Sequence, residues 1–175
     1  MALVERQTLN NTRDEDDYRY TFARLAVDKA KLCPDDSAAS NPTPRVGIVI
    51  ARRGVLLGWA AKGHSGEYLR DGEMHPFCVT NPDHAEQALL AHLASTDLTG
   101  AEAYVTLEPC TKRRQRTSCA ELLVQVGISN IYVGNCDPNP NIGALAWERF
   151  FKAGMVVRDF PGDLRNEARR DNAAS

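Results

Sequence analysis

The sequence of 175 residues predicts an α/β fold, a three-layer α/β/α sandwich around a central mixed sheet of five strands. Two observations predict this class. Two short apolar runs around a turn indicate a β-hairpin early in the chain. After it, helical and strand-like patterns alternate to the end, which is typical of a sheet with helices on both faces.

The elements follow in order along the chain. Residues 1–16 are polar and end in an acidic run, so we expect a flexible acidic tail, and we expect residues 17–175 to form a single domain. Apolar positions at three- and four-residue steps predict a helix over 18–32. Apolar runs predict strands over 46–51 and 55–61. A long loop is predicted over 62–83, and loops of that length often act as lids. The remaining predictions are helix 84–94, strand 103–107, helix 119–126, strand 131–134, helix 142–153, strand 155–160 and helix 161–174.

Composition and charge argue against a membrane protein and against a general nucleic acid-binding protein. The chain is 43% hydrophobic but shows no apolar run of membrane-spanning length and no basic-apolar leader, so we expect a cytoplasmic location and no membrane partner. The net charge of −2 gives no global positive field that would attract nucleic acid.

One histidine, two cysteines and one glutamate carry the strongest functional signal. His84-Ala85-Glu86 is followed by Pro109-Cys110 and then by Cys119. One His and two Cys can hold zinc and leave a fourth position for water, while a nearby Glu is free to move protons. The sequence therefore predicts Zn²⁺ as the cofactor, His84, Cys110 and Cys119 as its ligands, and Glu86 as the catalytic residue.

The predicted helices place these residues together. His84 and Glu86 begin one predicted helix, and Cys119 begins the next. If the two helices start side by side, the positive ends of their dipoles favour the thiolate form that binds metal.

Several motifs in one order resemble a known family. They are Pro44-Arg45-Val46-Gly47, His84-Ala85-Glu86, Thr106-Leu107-Glu108-Pro109-Cys110, Cys119-Ala120-Glu121 after a gap of eight residues, and Asp137-Pro138-Asn139-Pro140. On these motifs the chain resembles the cytidine deaminase-like superfamily over residues 44–161. It is most similar to the deaminase domain of bacterial riboflavin biosynthesis, diaminohydroxyphosphoribosylaminopyrimidine deaminase, and its single-domain pyrimidine deaminase relatives.

The resemblance implies a cytidine deaminase-like fold and a zinc-dependent hydrolytic deaminase. Such an enzyme replaces an exocyclic amine of a pyrimidine-type nucleotide or nucleoside by oxygen and releases ammonia. A small nucleotide-type substrate and a homo-oligomer are the partners it implies. The chain departs from the family pattern between the cysteines, where residues 111–118 lack two family histidines, and at Thr43, where the family has Asn. No reductase domain is expected within these residues.

Candidate substrate-binding residues come from three polar or basic segments beside these motifs. Basic side chains between the cysteines could contact a substrate phosphate, and polar side chains of the other two segments could line the pocket. The candidates are Asn41, Thr43, Lys112, Arg113, Arg114, Arg116, Asp137 and Asn139.

Two alternative functions stay open from the residues. One is a deaminase that acts on a base within RNA or DNA, which the near-neutral charge does not favour. The other is a non-catalytic binding module stabilised by zinc. Glu86 argues against such a module, because a structural zinc site has no need of a free carboxylate beside the metal.

Overall fold

A mixed seven-stranded sheet forms the centre of the molecule. The structure is a computed structural model, and it describes residues 18–36, 38–39, 42–80, 83–113, 115–137 and 143–173. The predicted acidic tail, residues 1–16, lies outside the described residues. Helices pack on both faces of the sheet, so the predicted three-layer α/β/α class is confirmed.

The sheet has an antiparallel half and a parallel half. Its strands are β1 (Gly47–Arg52), β2 (Val55–Ala61), β3 (Ser65–Arg70), β4 (Glu73–Cys78), β5 (Glu102–Leu107), β6 (Asn130–Asn135) and β7 (Val156–Asp159). Their spatial order is β4-β3-β2-β1-β5-β6-β7. Strands β5, β6 and β7 run parallel, and each of the remaining neighbouring pairs is antiparallel. Parallel strands end at the same edge of a sheet, which brings the segments that follow β5 and β6 together.

The predicted number of five strands is wrong, because the predicted loop over 62–83 contains the hairpin of β3 and β4. Arg70 pairs with Glu73, and the intervening Asp71 and Gly72 have φ values of 54° and 83°. Positive φ at both central residues is the geometry of the tight turn that Asp-Gly favours between strands. The hairpin was missed because β4 is an edge strand with mostly exposed side chains, and an edge strand lacks a clear apolar alternation.

Five helices complete the described fold. Helix α1 covers residues 18–30, and the others are α2 (Ala85–His92), α3 (Cys119–Gln125), α4 (Leu145–Lys152) and α5 (Gly162–Ala173). The predicted helix over 142–153 begins later than expected, since residues 143–144 form a turn before α4. Gly154, with a φ of 76°, follows α4 in the left-handed conformation expected at a helix C-terminus.

Two apolar cores lie on opposite faces of the sheet. In β1, Ile48 and Ile50 face one core while Val49 and Ala51 face the other, as the two-residue period of a strand requires. Helices α2, α3 and α4 pack on the first face through Leu89, Leu123 and Phe150, among others. Helices α1 and α5 pack on the second face, where their side chains include Phe22, Val27, Leu164 and Ala168.

Within the described ranges, the chain has no helix that is both long and apolar enough to cross a membrane. The cytoplasmic location stays a prediction.

We expect Gly47→Ala to destabilise the fold, because β1 and α1 approach each other closely at Gly47. A Cβ atom at this position would clash with the carbonyl oxygen of Ala26 and lie 2.8 Å from the backbone nitrogen of Ala30. Overpacking of this kind costs about 1–3 kcal/mol in the free energy of unfolding. Chemical denaturation measures the change. Gly162→Ala is the matched control, since a Cβ there meets nothing within 4 Å; equal stability of the two variants would contradict the prediction.

Candidate active site

His84, Cys110 and Cys119 come together at one point of the structure. Their ligand atoms all lie within 4.8 Å of one another. His84 Nδ1 is 3.7 Å from Cys110 Sγ and 3.3 Å from Cys119 Sγ. The sequence separates these residues by up to 35 positions, so only the fold assembles them.

The start of α2 supplies His84 and Glu86. His84 is the N-cap residue of α2 and has an extended backbone. Its side chain makes no capping hydrogen bond to the helix. Its imidazole therefore points to the two cysteines rather than capping α2. Glu86 lies in the first turn of α2 and is only 3% exposed. A carboxylate in the first turn is stabilised by the positive end of the helix dipole.

The two cysteines lie at the base of a closed loop. The Ala120 amide donates to the Cys110 carbonyl oxygen at 3.1 Å, and the Cys119 amide donates to Cys110 Sγ at 3.4 Å. The two sulfur atoms therefore lie close together although eight residues separate the cysteines in the sequence. Ser118 caps α3 by accepting a hydrogen bond from the Glu121 amide at 3.3 Å, the arrangement expected from a Ser-x-x-Glu sequence.

The cluster is electrostatically unusual. A hydrogen bond with Cys119, followed in importance by one with His84, holds the pKa of the Cys110 thiol well below its usual value. The same hydrogen bond with Cys110, together with burial, raises the pKa of the Cys119 thiol. Burial raises the pKa of Glu86, whose carboxyl group also contacts Cys119.

The three ligand atoms fit a zinc ion. Tetrahedral zinc with ordinary Zn–S and Zn–N bonds holds sulfur and nitrogen about 3.5 Å apart, close to the observed 3.7 Å and 3.3 Å. A dication between the sulfurs would replace the proton that they share. The donor set of one imidazole and two thiols also suits zinc better than magnesium or calcium.

Two adjoining cavities lie beside the cluster. A cavity of about 110 Å³ is lined by His84, Glu86 and Cys110, among others. A larger cleft of about 770 Å³ is also lined by His84. The two cavities share Pro44, Lys62 and His84, so the cleft leads to the cluster. Its volume is within the range of small-molecule sites, about 300–1,000 Å³.

The predicted substrate-binding residues are divided among different places. Thr43 lines the cleft, but its hydroxyl donates to Asp36 Oδ2 at 2.8 Å. Asp137 lines the smaller cavity beside Glu86. The candidates that lie outside the described residues are Asn41, Arg114 and Asn139.

The described basic residues between the cysteines do not share one surface. Arg113 lines the cleft, and its guanidinium donates to Gln87 Oε1. Arg116 forms an exposed ion pair with Asp83 at 2.6 Å. Lys112 lines a third cavity, of about 80 Å³, which shares Cys110 and Asp137 with the smaller cavity but does not include the cleft residues. Among these three, Arg113 is the one that reaches the cleft.

Two charged residues of the site, Lys62 and Glu108, were not predicted from the sequence. Lys62 follows β2 and lines both cavities, because its amide pairs with the Val46 carbonyl oxygen at 3.0 Å and so holds it beside Pro44. Glu108, between β5 and Cys110, lines the smaller cavity. The sequence offered one signal for each residue: Lys62 follows a predicted strand, and Glu108 lies near the predicted ligand Cys110. Neither signal shows in which direction the side chain points.

Comparisons with known proteins agree with this geometry. The family described as "Cytidine and deoxycytidylate deaminase zinc-binding region" matches residues 19–135. The chain is 33% identical over 118 residues to the riboflavin biosynthesis protein RibD of Actinobacillus pleuropneumoniae, a match that covers 67% of this chain and 27% of that protein. The chain thus spans about a quarter of the length of this relative.

Two further relatives differ in length. The diaminohydroxyphosphoribosylamino-pyrimidine deaminase of Buchnera aphidicola is 28% identical over 151 residues, with 86% of this chain and 88% of that protein covered. A crystal structure of a Thermotoga maritima diaminohydroxyphosphoribosylaminopyrimidine deaminase/5-amino-6-(5-phosphoribosylamino)uracil reductase is similar, with a TM-score of 0.69 and 27% identity. That match covers 90% of this chain and 40% of the other.

We expect Cys110→Ser and Cys119→Ser each to lower the zinc content of the purified chain. Each change removes a thiolate ligand, and it should also lower thermal stability, because a metal held only by the folded state stabilises that state. Metal analysis and thermal unfolding measure the two effects. Cys136→Ser is the control, since Cys136 is exposed and outside the cluster; normal zinc in both cluster variants would show that the ligand assignment is wrong.

Proposed function

Since the chain belongs to the cytidine and deoxycytidylate deaminase zinc-binding family, whose members are hydrolases acting on C–N bonds, we propose that it deaminates a pyrimidine-type nucleotide. The reaction replaces an exocyclic amine of the ring by oxygen from water and releases ammonia. The observation that carries the proposal is the buried Glu86 beside His84, Cys110 and Cys119 at the end of a cleft large enough for a nucleotide.

The proposed roles follow from the positions of the side chains. His84, Cys110 and Cys119 hold zinc, which when bound activates water as a nucleophile at neutral pH. The carboxyl group of Glu86 faces the same small cavity. It takes a proton from the attacking water and delivers protons to the ring nitrogen and then to the departing ammonia.

Local charge supports an anionic substrate. Lys62 lies half-buried where the two cavities meet, and among the described residues its ammonium forms no ion pair. Its Nζ lies 3.5 Å from the Pro44 carbonyl oxygen. Burial lowers the pKa of Lys62, while the charges of Cys33, Glu86 and Asp36 act in the opposite direction, because a buried position disfavours the charged form of a lysine. Arg113 adds a second cation to the wall of the cleft.

These cations support a substrate that carries a phosphate. We propose that Arg113 contacts the phosphate in the wide part of the cleft, while Lys62 contacts the ring or sugar nearer to Glu86. The names of the relatives point the same way, since diaminohydroxyphosphoribosylaminopyrimidine and deoxycytidylate are both phosphorylated pyrimidines. Homo-oligomerisation stays a prediction.

A substrate screen tests the proposed function. The purified zinc-containing chain is incubated with diaminohydroxyphosphoribosylaminopyrimidine, deoxycytidylate, cytidine and single-stranded oligonucleotides. Deamination raises the mass of a substrate by about 1 Da, since an amine becomes an oxygen. We expect turnover of a free nucleotide. Turnover of oligonucleotides alone would support the nucleic acid alternative, and zinc without turnover of any substrate would support the binding module.

We expect Glu86→Gln to keep zinc and lose activity. Glutamine preserves the shape of the side chain but cannot carry the proton, and loss of a general acid–base residue lowers kcat by about 10²–10⁴-fold. Glu121→Gln makes the same change in the first turn of α3, where Glu121 pairs with Arg149, and it should leave kcat unchanged. Near wild-type kcat in Glu86→Gln would exclude the proposed mechanism.

We expect Arg113→Ala and Lys62→Met to raise KM for the nucleotide more than they lower kcat. A contact made equally in the ground and transition states contributes to KM alone. Loss of one charge-assisted hydrogen bond raises KM by about ten- to a hundredfold.

Arg149→Ala is the control for these variants, because Arg149 is paired with Glu121 on the surface and does not line the cleft. Unchanged KM in both Arg113→Ala and Lys62→Met would show that the cleft does not bind the anionic group. A nucleic acid substrate would instead give a salt-dependence slope that falls by nearly one for each cation removed.

A further inference from the structure

Glu108 is a buried carboxylate that the proposed chemistry does not use. It follows β5 directly and is only 6% exposed. Three backbone amides donate to it. Oε2 accepts from Asp137 at 3.0 Å and from Ala144 at 2.9 Å, and Oε1 accepts from Ala146 at 2.9 Å. A buried carboxylate needs hydrogen-bond donors or a cation beside it. Within the described residues, these three amides are the donors to Glu108.

Two of these amides belong to the start of α4, which has no cap of its own. The N-cap residue Ala144 has a left-handed backbone with a φ of 66° and supplies no side-chain hydrogen bond. The first amides of a helix need acceptors, and a negative charge there is stabilised by the helix dipole. Glu108 therefore caps α4 from a distant part of the chain.

The third amide belongs to Asp137, which lines the small cavity beside Glu86. Asp137 and Ala144 donate to the same oxygen of Glu108, so one atom holds two residues that are seven positions apart in the chain. Glu108 is also two residues from Cys110, and its own amide donates to the Asn135 carbonyl oxygen at 2.8 Å. Through its backbone amide and its side chain, Glu108 thus connects the segment that holds Cys110 with the end of β6 and the start of α4.

We infer that Glu108 is a positioning residue for substrate, which acts by holding Asp137 at a set distance from the zinc ligands. This inference rests on the proposed function and adds to it a determinant of substrate affinity. Asp137 lines the cavity in which the ring would react, whereas the carboxylate of Glu108 accepts hydrogen bonds from backbone amides. Glu108 therefore influences the substrate through Asp137 and does not take part in proton transfer.

Glu108→Gln tests the inference in the zinc-containing chain. The substitution keeps the shape of the side chain but replaces one acceptor oxygen by an NH₂ group, which cannot accept from an amide. We expect KM for diaminohydroxyphosphoribosylaminopyrimidine to rise by about ten- to a hundredfold, the effect of one lost charge-assisted hydrogen bond, with kcat and zinc content retained. Amide hydrogen exchange measured by NMR should accelerate at Asp137, Ala144 and Ala146 and not across β5.

A double-mutant cycle separates positioning from general destabilisation. If Glu108 acts through Asp137, Glu108→Gln should add little to the rise in KM caused by Asp137→Asn, since effects on one shared contact are not additive. Additive effects would overturn the inference. Glu148→Gln is the matched control on α4, where Glu148 forms a surface pair with Lys152 at 2.6 Å, and it should change neither KM nor exchange.

A second variant and a second readout keep the outcomes distinct. Glu108→Asp retains the negative charge on a shorter side chain, and the KM of this variant should lie between those of the wild type and Glu108→Gln. The aspartate variant also tests the inference if the glutamine variant does not fold. Unchanged exchange at Asp137 and Ala144, or unchanged KM, overturns the inference. A wild-type chain without turnover contradicts the proposed function, while the exchange measurement still decides whether Glu108 holds Asp137 and Ala144 in place.

Discussion

The approach of two helix N-termini to the end of β5 is the constraint on which the site depends. His84 precedes α2, Cys119 opens α3, and Cys110 lies just beyond β5. Each segment delivers one ligand atom, and the three atoms converge within 4.8 Å. The positive ends of both helix dipoles and the backbone amide of Cys119 favour negative sulfur at this point. The same convergence holds Glu86 beside the ligands, because it lies in the first turn of α2.

The segment between the cysteines shows how a long insertion is accommodated beside a metal site. Hydrogen bonds from the amides of Cys119 and Ala120 hold its two ends together at Cys110, so the two cysteine ligands stay close despite the eight residues between them. Its side chains then reach different surroundings. Arg116 pairs with Asp83 at the rim, whereas Arg113 lines the cleft. A chain with a net charge of −2 can thus present cations to a small anionic ligand without a broad basic surface.

The hairpin of β3 and β4 extends the sheet and contributes to the cleft at its base. The cleft is lined by Gly63 and His64, which precede β3, and by Cys78 and Val79 at the end of β4. Pro76 lies in β4, an edge strand where the missing amide donor of proline is tolerated. Phe77 stacks on His92 of α2 with ring centroids 4.1 Å apart, which attaches the hairpin to the helix that carries Glu86. The segment that the sequence analysis treated as a loop is therefore part of the framework of the site.

The sequence by itself determined the α/β class, the order of most elements and the zinc-binding motif, because these depend on local periodicity and on residue types at short spacing. The helix predicted over 119–126, for example, agrees with α3 to within one residue without any knowledge of the fold. Only the tertiary structure decided which charged side chains reach the site and which groups they contact there. Lys62 enters the site through its strand register with Val46, and Glu108 meets the amide of Asp137, 29 residues away. Contacts of this kind depend on how distant segments pack, and no pattern along the chain records the direction in which a side chain points.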